Sequence, residues 1–437
     1  MKYYVTMNKN GIKVFLFFLF ISNLIFGQSN FVSPLSFSGF GMPANKGLSA
    51  DLGFGGANTG FSDPGLINIA NPATYHFLFY QQVDLGFLAQ SSNINLPSGN
   101  FATSGGRIRS FFYGFSLGKR FGFVLGLKPY SSTNYEVYET SSPNTSTFIS
   151  NYYLGEGGFN DAIIGIGYKL YKDSLNIISI GSNLNYLFGN QSNFQYSTIS
   201  EAGSSNFNTK YVSQLKISDI YLDFGLHYMR KLSKDLSFGF GATYQPSQSL
   251  NSNNLSLFNS FAGSPGNEIP KDTISFSTDT GSSTLPQSLG LGLSFEIGKG
   301  LIINADYKFT AFSTAKIISK NLNNSDRSEF SLGVQYIPNV EDVTKLLSVI
   351  KYRLGARVVN TGINYDGGSV SEFGITFGLG LPLLKSQSFT SINIGAEIGG
   401  RNNGNIGTYS EQFNNFYIGI SISPHKFDRW FVRRKID

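Results

Sequence analysis

The sequence predicts an all-β protein: an antiparallel transmembrane β-barrel of about fourteen strands, with an N-terminal plug, or hatch, in its lumen. Three observations predict it. After an apolar leader-like run, the chain contains no stretch long and apolar enough for a membrane-spanning helix. The remaining sequence repeatedly alternates large apolar residues with glycine and polar residues, and the connections between the alternating stretches are short and long in turn.

Composition bounds the class. Charged residues make up 14% of the 437 residues, well below the roughly 25% usual for soluble domains, while glycine (50), phenylalanine (41) and tyrosine (24) are abundant. Such a chain has few charges with which to cover a water-facing surface. Cysteine is absent, and the three histidines (His76, His227 and His425) are far apart, so neither a metal site nor a cofactor is expected. Lys2, Lys9 and Lys13 precede the apolar run from Val14 to Phe26, and Gly27 closes it, which is the pattern of a secretory signal over residues 1–27. Removing those three lysines takes the formal net charge from +6 to +3. No nucleic-acid footprint is left, and no enzymatic constellation stands out.

The strands follow in order. Fourteen candidates begin near His76, Ile108, Phe121, Asp161, Leu175, Tyr211, Leu236, Ser288, Gly300, Ser328, Leu347, Ser371, Thr390 and Gln412. Their alternation is clearest in SEFGITFGLGLPL, where Phe373, Ile375, Phe377, Leu379 and Leu381 share one face and Gly374, Thr376, Gly378 and Gly380 the other. SLGLGLSFEIG and LIINADYKF repeat the pattern. Tight turns at 118–122, 171–175, 233–237 and 298–301 are interleaved with polar stretches around 92–106, 139–158, 190–209 and 246–284, which are expected to be long extracellular loops. The barrel is expected over 75–431, with a short basic tail at 432–437.

Two glycine-containing motifs are set aside. GFSLG (Gly114 to Gly118) matches a nucleophile elbow, but it sits within an alternating strand rather than at a strand-to-helix turn. GFGGANTG lacks both the βαβ setting and the spacing of a dinucleotide fingerprint. Charges on the non-greasy face carry more information: Lys128, Lys169, Asp223, Glu296, Asp306, Lys308, Arg353, Arg357 and Glu397. Lipid would reject them, so alternation places them in the lumen. There they form either a lattice of interior salt bridges or, at Arg353, Arg357 and Lys308, a site for a ligand carboxylate. Pro129 interrupts its strand and removes a ladder donor, marking a bulge, a kink or a strand end.

Residues 28–74 lack a usable hydrophobic period and precede all the strands. Within them SDPGLINIA reads as one short helix, with Ser62 or Asp63 as N-cap and Pro64 at the first helical position. Gly56, Ala57, Gly60, Asp63 and the tripeptide Asn71, Pro72, Ala73, directly ahead of the first strand, resemble the N-terminal hatch of the FadL-like long-chain fatty-acid outer-membrane transporter family. The resemblance implies a fourteen-stranded, plugged barrel in the outer membrane of a Gram-negative bacterium. It implies uptake of hydrophobic small molecules or lipids, with lateral exit at a kinked third strand, where Pro129 falls. The same superfamily includes a shuttle barrel of the type IX secretion system, so outer-membrane protein partners are the alternative. The C-terminus departs from the usual terminal aromatic of such barrels, because Trp430 and Phe431 are followed by VRRKID.

Overall fold

The computed structural model describes residues 33–424 apart from 46, 98, 145–146, 202–206, 319–321, 323, 343–344, 384–388 and 406–407. The leader expected at 1–27, His425, Trp430, Phe431 and the basic tail lie outside the described residues. Eighteen segments pair into one sheet. One belongs to the plug and six combine in pairs into three interrupted staves, which leaves fourteen staves.

In chain order they are β1 (Gln82–Leu96), β2 (Gly99–Leu117), β3 (Phe121–Ser132 and Tyr135–Asn144), β4 (Thr147–Lys172), β5 (Asn176–Glu201), β6 (Asn208–Lys231) and β7 (Leu236–Gln245 and Gln248–Ser264). Then come β8 (Asn267–Leu285 and Ser288–Ile297), β9 (Leu301–Thr310), β10 (Arg327–Tyr336), β11 (Lys351–Tyr365), β12 (Gly368–Pro382), β13 (Ser391–Asn402) and β14 (Ser410–Ile422). Each pairs antiparallel with its neighbour, and β14 returns to β1 from Ser410↔Asn95 to Ile422↔Val83. The sheet is therefore a closed barrel in which every stave has a neighbour on both sides. Alternation sorts its two faces as expected: Phe373, Ile375, Phe377 and Leu379 all point outward and are exposed.

Two expectations need correction. The stretches around 92–106, 139–158, 190–209 and 246–284 are largely strand, not loop. A spanning strand needs about 9–11 residues, yet β4 and β5 have 26 each and β6 has 24. The staves run on past the membrane with polar residues interspersed on both faces, so hydrophobic alternation fades while the backbone ladder persists. Asymmetry between the two ends thus lies in strand overhang. SDPGLINIA is likewise not a helix. Asp63 Oδ1 accepts from the Gly65 amide, and Asn68 donates to the carbonyls of Asn58 and Phe61 while accepting from Ala70 N. These local side-chain bonds satisfy the backbone in turns and compete with a helix.

The plug continues beyond residue 74. A single helical turn spans Ser49–Leu52 and a 3-10 helix spans Pro72–Phe77, before β1 begins at Gln82. Both are held inside the barrel, where Leu48, Ile67 and Tyr75 pack with Phe112, Val124 and Ile163 from the wall.

Candidate functional site

The lumen is shaped by glycine on the wall and polar anchors on the plug. A Cβ on Gly241 would lie 1.9 Å from the Thr59 carbonyl oxygen, and one on Gly355 would lie 2.2 Å from Gly55 N. Only glycine lets plug backbone touch the wall at these points. This explains why the inner faces of the barrel strands alternate large outward residues with glycine.

Asn71 caps the 3-10 helix through Oδ1, which accepts from Ala73 N at 3.0 Å. Its Nδ2 donates to Thr59 O within the plug and to Leu226 O on β6, at 2.9 and 3.0 Å. Pro72 and Ala73 start that helix, and a Cβ on Gly181 of β5 would collide with both. Tyr75 donates to Asn183 Oδ1 on β5. Gly56 turns at φ 82° and offers its carbonyl to Lys308 Nζ. Asp63 Oδ2 pairs with Lys351 on β11 at 2.8 Å. Burial would raise the Asp63 pKa, but the Lys351 ammonium outweighs it and holds the carboxyl below its usual range.

The strongest single anchor was not singled out as a site from the sequence. Asp306 on β9 accepts from Asn58 N, Thr59 N and Thr59 Oγ1 at 3.0, 2.9 and 2.6 Å. Asp51, fully inside the plug, accepts from Leu48 N, and burial raises its pKa to about 6. His76 has no hydrogen-bond partner on either ring nitrogen among the described residues, and burial lowers its pKa to about 3, so it sits there neutral.

The arginines divide between two tasks. Arg357 lies in a buried lattice, with Nε on Glu397 at 2.6 Å and Nη2 on Glu372. Arg401 binds Glu372 and Glu411, while Tyr417 and Asn415 donate to Glu397. Arg353 donates to Gln335 Oε1 and Asn393 Oδ1, and its guanidinium faces the Phe54 ring of the plug at 5.3 Å. The structure therefore places Arg357 in the salt-bridge lattice and Arg353 and Lys308 against the plug. Glu372, Arg401 and Glu411 complete the lattice. Their signal in the sequence was their place on inner faces of consecutive strands, but GG at 399–400 obscures the alternation.

Pro129 stands where the wall opens. β2 and β3 pair only from Phe111↔Leu127 to Leu117↔Phe121, so residues 99–110 of β2 have no ladder partner on β3 among the described residues. Plug residues stand in for it. Met42 and Pro43 pair with Ser132 and Ser131, and Ala44 N donates to Tyr130 O at 2.9 Å. From the other side, Arg109 Nη2 donates to Asn45 O and Gly47 O at 2.7 and 2.9 Å. The seam is lined by Arg107, Arg109 and Lys128 together with Ala44, Ile69 and Pro129. Beside it a lumen cavity of about 130 Å³ is bordered by Lys128, Asp223, Lys308, Arg327 and Glu329. Lys128 is ion-paired with Asp161 at 2.9 Å. No group of residues suited to a metal ion occurs among the described residues.

A protein-family model named BamG matches residues 7–437. Among solved structures, the chain is similar to a FadL homologue of Pseudomonas aeruginosa, with 14% identity and a TM-score of 0.55, covering 88% of this chain and 100% of that one. It is also similar to the toluene transporter TbuX of Ralstonia pickettii, with 14% identity and a TM-score of 0.54 over 87% and 99% of the two chains. The toluene transporter TodX of P. putida gives 15% identity and a TM-score of 0.53 over 87% and 100%. At these identities the likeness carries the FadL-like barrel fold. A search among curated proteins finds no match.

Proposed function

The chain belongs to the BamG family, and from that premise we propose that it is an outer-membrane barrel of a Gram-negative cell that works as a stably bound subunit of an outer-membrane protein machine. The observation that carries this reading is the filled lumen. The plug is fixed by Asp306, Asn71, Lys351 and Arg353. Beside it lies a cavity of about 130 Å³ bordered by Lys128, Asp223, Arg327 and Glu329 as well as by Ile69, Ile163 and Phe312. An apolar solute crossing it would have to pass between Lys128, paired with Asp161, and Arg327, paired with Glu329, displacing bonded charges at a cost. The long overhang supports the same reading. It carries Tyr138, Phe148, Phe207, Ile269 and Phe276 in exposed positions beyond the spanning band, as a protein-binding surface would.

A second reading, passage of hydrophobic small molecules or lipids such as long-chain fatty acids, is favoured by one feature. The β2–β3 ladder ends beside Pro129, where displacement of residues 42–47 would open a sideways route into lipid. The fold neighbours described as toluene transporters agree with it. In this reading Pro129 is the gate kink and Arg353, Arg357 and Lys308 meet the carboxylate. Liposomes holding the purified barrel and exposed to labelled toluene or a labelled fatty acid separate the two. The machine-subunit reading expects uptake no faster than in empty liposomes; saturable uptake abolished by cross-linking Ala44→Cys to Tyr130→Cys would overturn it.

A further inference from the structure

The outer surface of the barrel is not uniform. Across β4 to β7 the lipid-facing rows run Ile166, Ser182, Phe224, Tyr244 and, one step toward the short-turn end, Tyr168, Ile180, Leu226, Ala242. Ser182 and Ala242 are small where their neighbours are large, and the dent they leave is a groove of about 490 Å³. That lies within the roughly 300–1,000 Å³ typical of small-molecule sites. Its lining is mostly apolar, with Ile166, Ile180, Phe224, Leu226 and Leu289 around it, and the Ser182 hydroxyl is turned to the Asp223 carbonyl at 2.9 Å.

The same staves end in cations. Lys172, Arg230, Lys231 and Lys234 are all exposed at their short-turn ends, and none forms an ion pair among the described residues. Of the nearby acids, Asp173 is engaged by the amides of Leu175 and Asn176, which leaves Asp235 as the only other acid in these two turns. From Leu226 to Arg230 is four residues along β6, or roughly 13 Å. That is within the length of an acyl chain whose head lies at the rim.

We propose that this groove binds one anionic phospholipid of the periplasmic leaflet, its acyl chain lying over Ser182 and Ala242 and its phosphate held at the rim by Arg230, which shares the outward row of Leu226. Charge complementarity selects the occupant. An apolar slot closed at one end by unpaired cations fits an amphiphile with a negative head, and a neutral head would leave the cations unmatched. The inference rests on the outer-membrane placement proposed above, taken with the short turns in the periplasm.

The test uses the full mature chain in nanodiscs of phosphatidylethanolamine mixed with phosphatidylglycerol, followed by native mass spectrometry of lipid retained on release. Wild type is expected to keep one phosphatidylglycerol in preference to phosphatidylethanolamine. Arg230→Gln should lower that preference about fivefold, as expected for one basic residue at a charged lipid surface. Ala242→Phe, which fills the groove from the lipid side, should abolish retention; Lys271→Gln on the overhang should leave it unchanged. Equal retention of both lipids by wild type, or a preference unaffected by Arg230→Gln, would overturn the inference even if Ala242→Phe failed to fold. Failure of the orientation is separately visible, because cysteines in the short turns would then label on intact cells.

Discussion

Replacing Asp306 by alanine removes the carboxylate that receives Asn58 N, Thr59 N and Thr59 Oγ1. Each hydrogen bond to a charged acceptor is worth about 1.5–3 kcal/mol, and two of the lost donors are backbone amides with no other partner nearby. Contributions of neighbouring groups do not add fully. A loss of roughly 3–6 kcal/mol in plug seating is therefore expected, or about two to four decades in the open fraction. The barrel ladder is untouched, because residue 306 pairs through its backbone with Gly292 and Ser331. Since the chain has no cysteine, Ser62→Cys supplies a single buried reporter in the plug. In detergent-solubilised protein its alkylation should accelerate at least a hundredfold in the Asp306→Ala background, with less effect from Asp306→Asn, which keeps one acceptor oxygen. Labelling unchanged by Asp306→Ala would refute the claim that β9 holds the plug.

Asp51 gives the plug a pH dependence. Burial lifts its folded pKa to about 6, above the ordinary 3.8, so its contribution is fully present below about pH 4 and is lost as pH rises through 6, amounting to about 3 kcal/mol. Thermal unfolding of the plug should thus shift down between about pH 4 and pH 7.5, and Asp51→Asn should flatten that dependence; a flat wild-type profile would contradict it. Asp63 has the opposite sign, but its window lies below its ordinary pKa and does not overlap. Arg357→Ala leaves Glu372 without one of its two cations and Glu397 without its ion-pair partner, so the barrel should lose about 3–5 kcal/mol; an unchanged Tm would show the lattice to be dispensable. For topology, Ser260→Cys on the overhang should react with an impermeant thiol reagent on intact cells, whereas Ser174→Cys should react only after the outer membrane is breached. Asp173 itself is left intact because it holds the turn.

The barrel was legible because a spanning strand must show lipid one face, and the rule leaves period-two alternation in every stave. Phe373 to Leu379 display it without exception. Beyond the membrane that constraint lapses, which is why residues 190–201 of β5 read as loop although their ladder to β4 is unbroken. The plug was legible as an absence of period and, in outline, through the glycines and the Asn71-Pro72-Ala73 tripeptide. Its conformation depends on partners hundreds of residues away, such as Asp306 for Asn58 and Lys351 for Asp63, and no local pattern encodes those pairings. The proline of the third strand did signal where its ladder changes. Nothing in the sequence showed that plug residues 42–47 would occupy the place left beside it. Arg357 and Arg353 look alike in alternation, and only the positions of Glu372, Glu397 and Phe54 separate a lattice member from a plug contact.

The central claim is that this barrel functions in a complex rather than as a conduit. The most direct measurement is the mass of the particle that the chain occupies when extracted at native abundance in mild detergent after cross-linking in intact cells. The account predicts one discrete species heavier than the single chain, with fixed stoichiometry, that persists when the overhang is left intact and dissolves when Phe148 and Phe276 are both replaced by lysine. A lone barrel of the single-chain mass carrying a hydrophobic molecule in its lumen would contradict it.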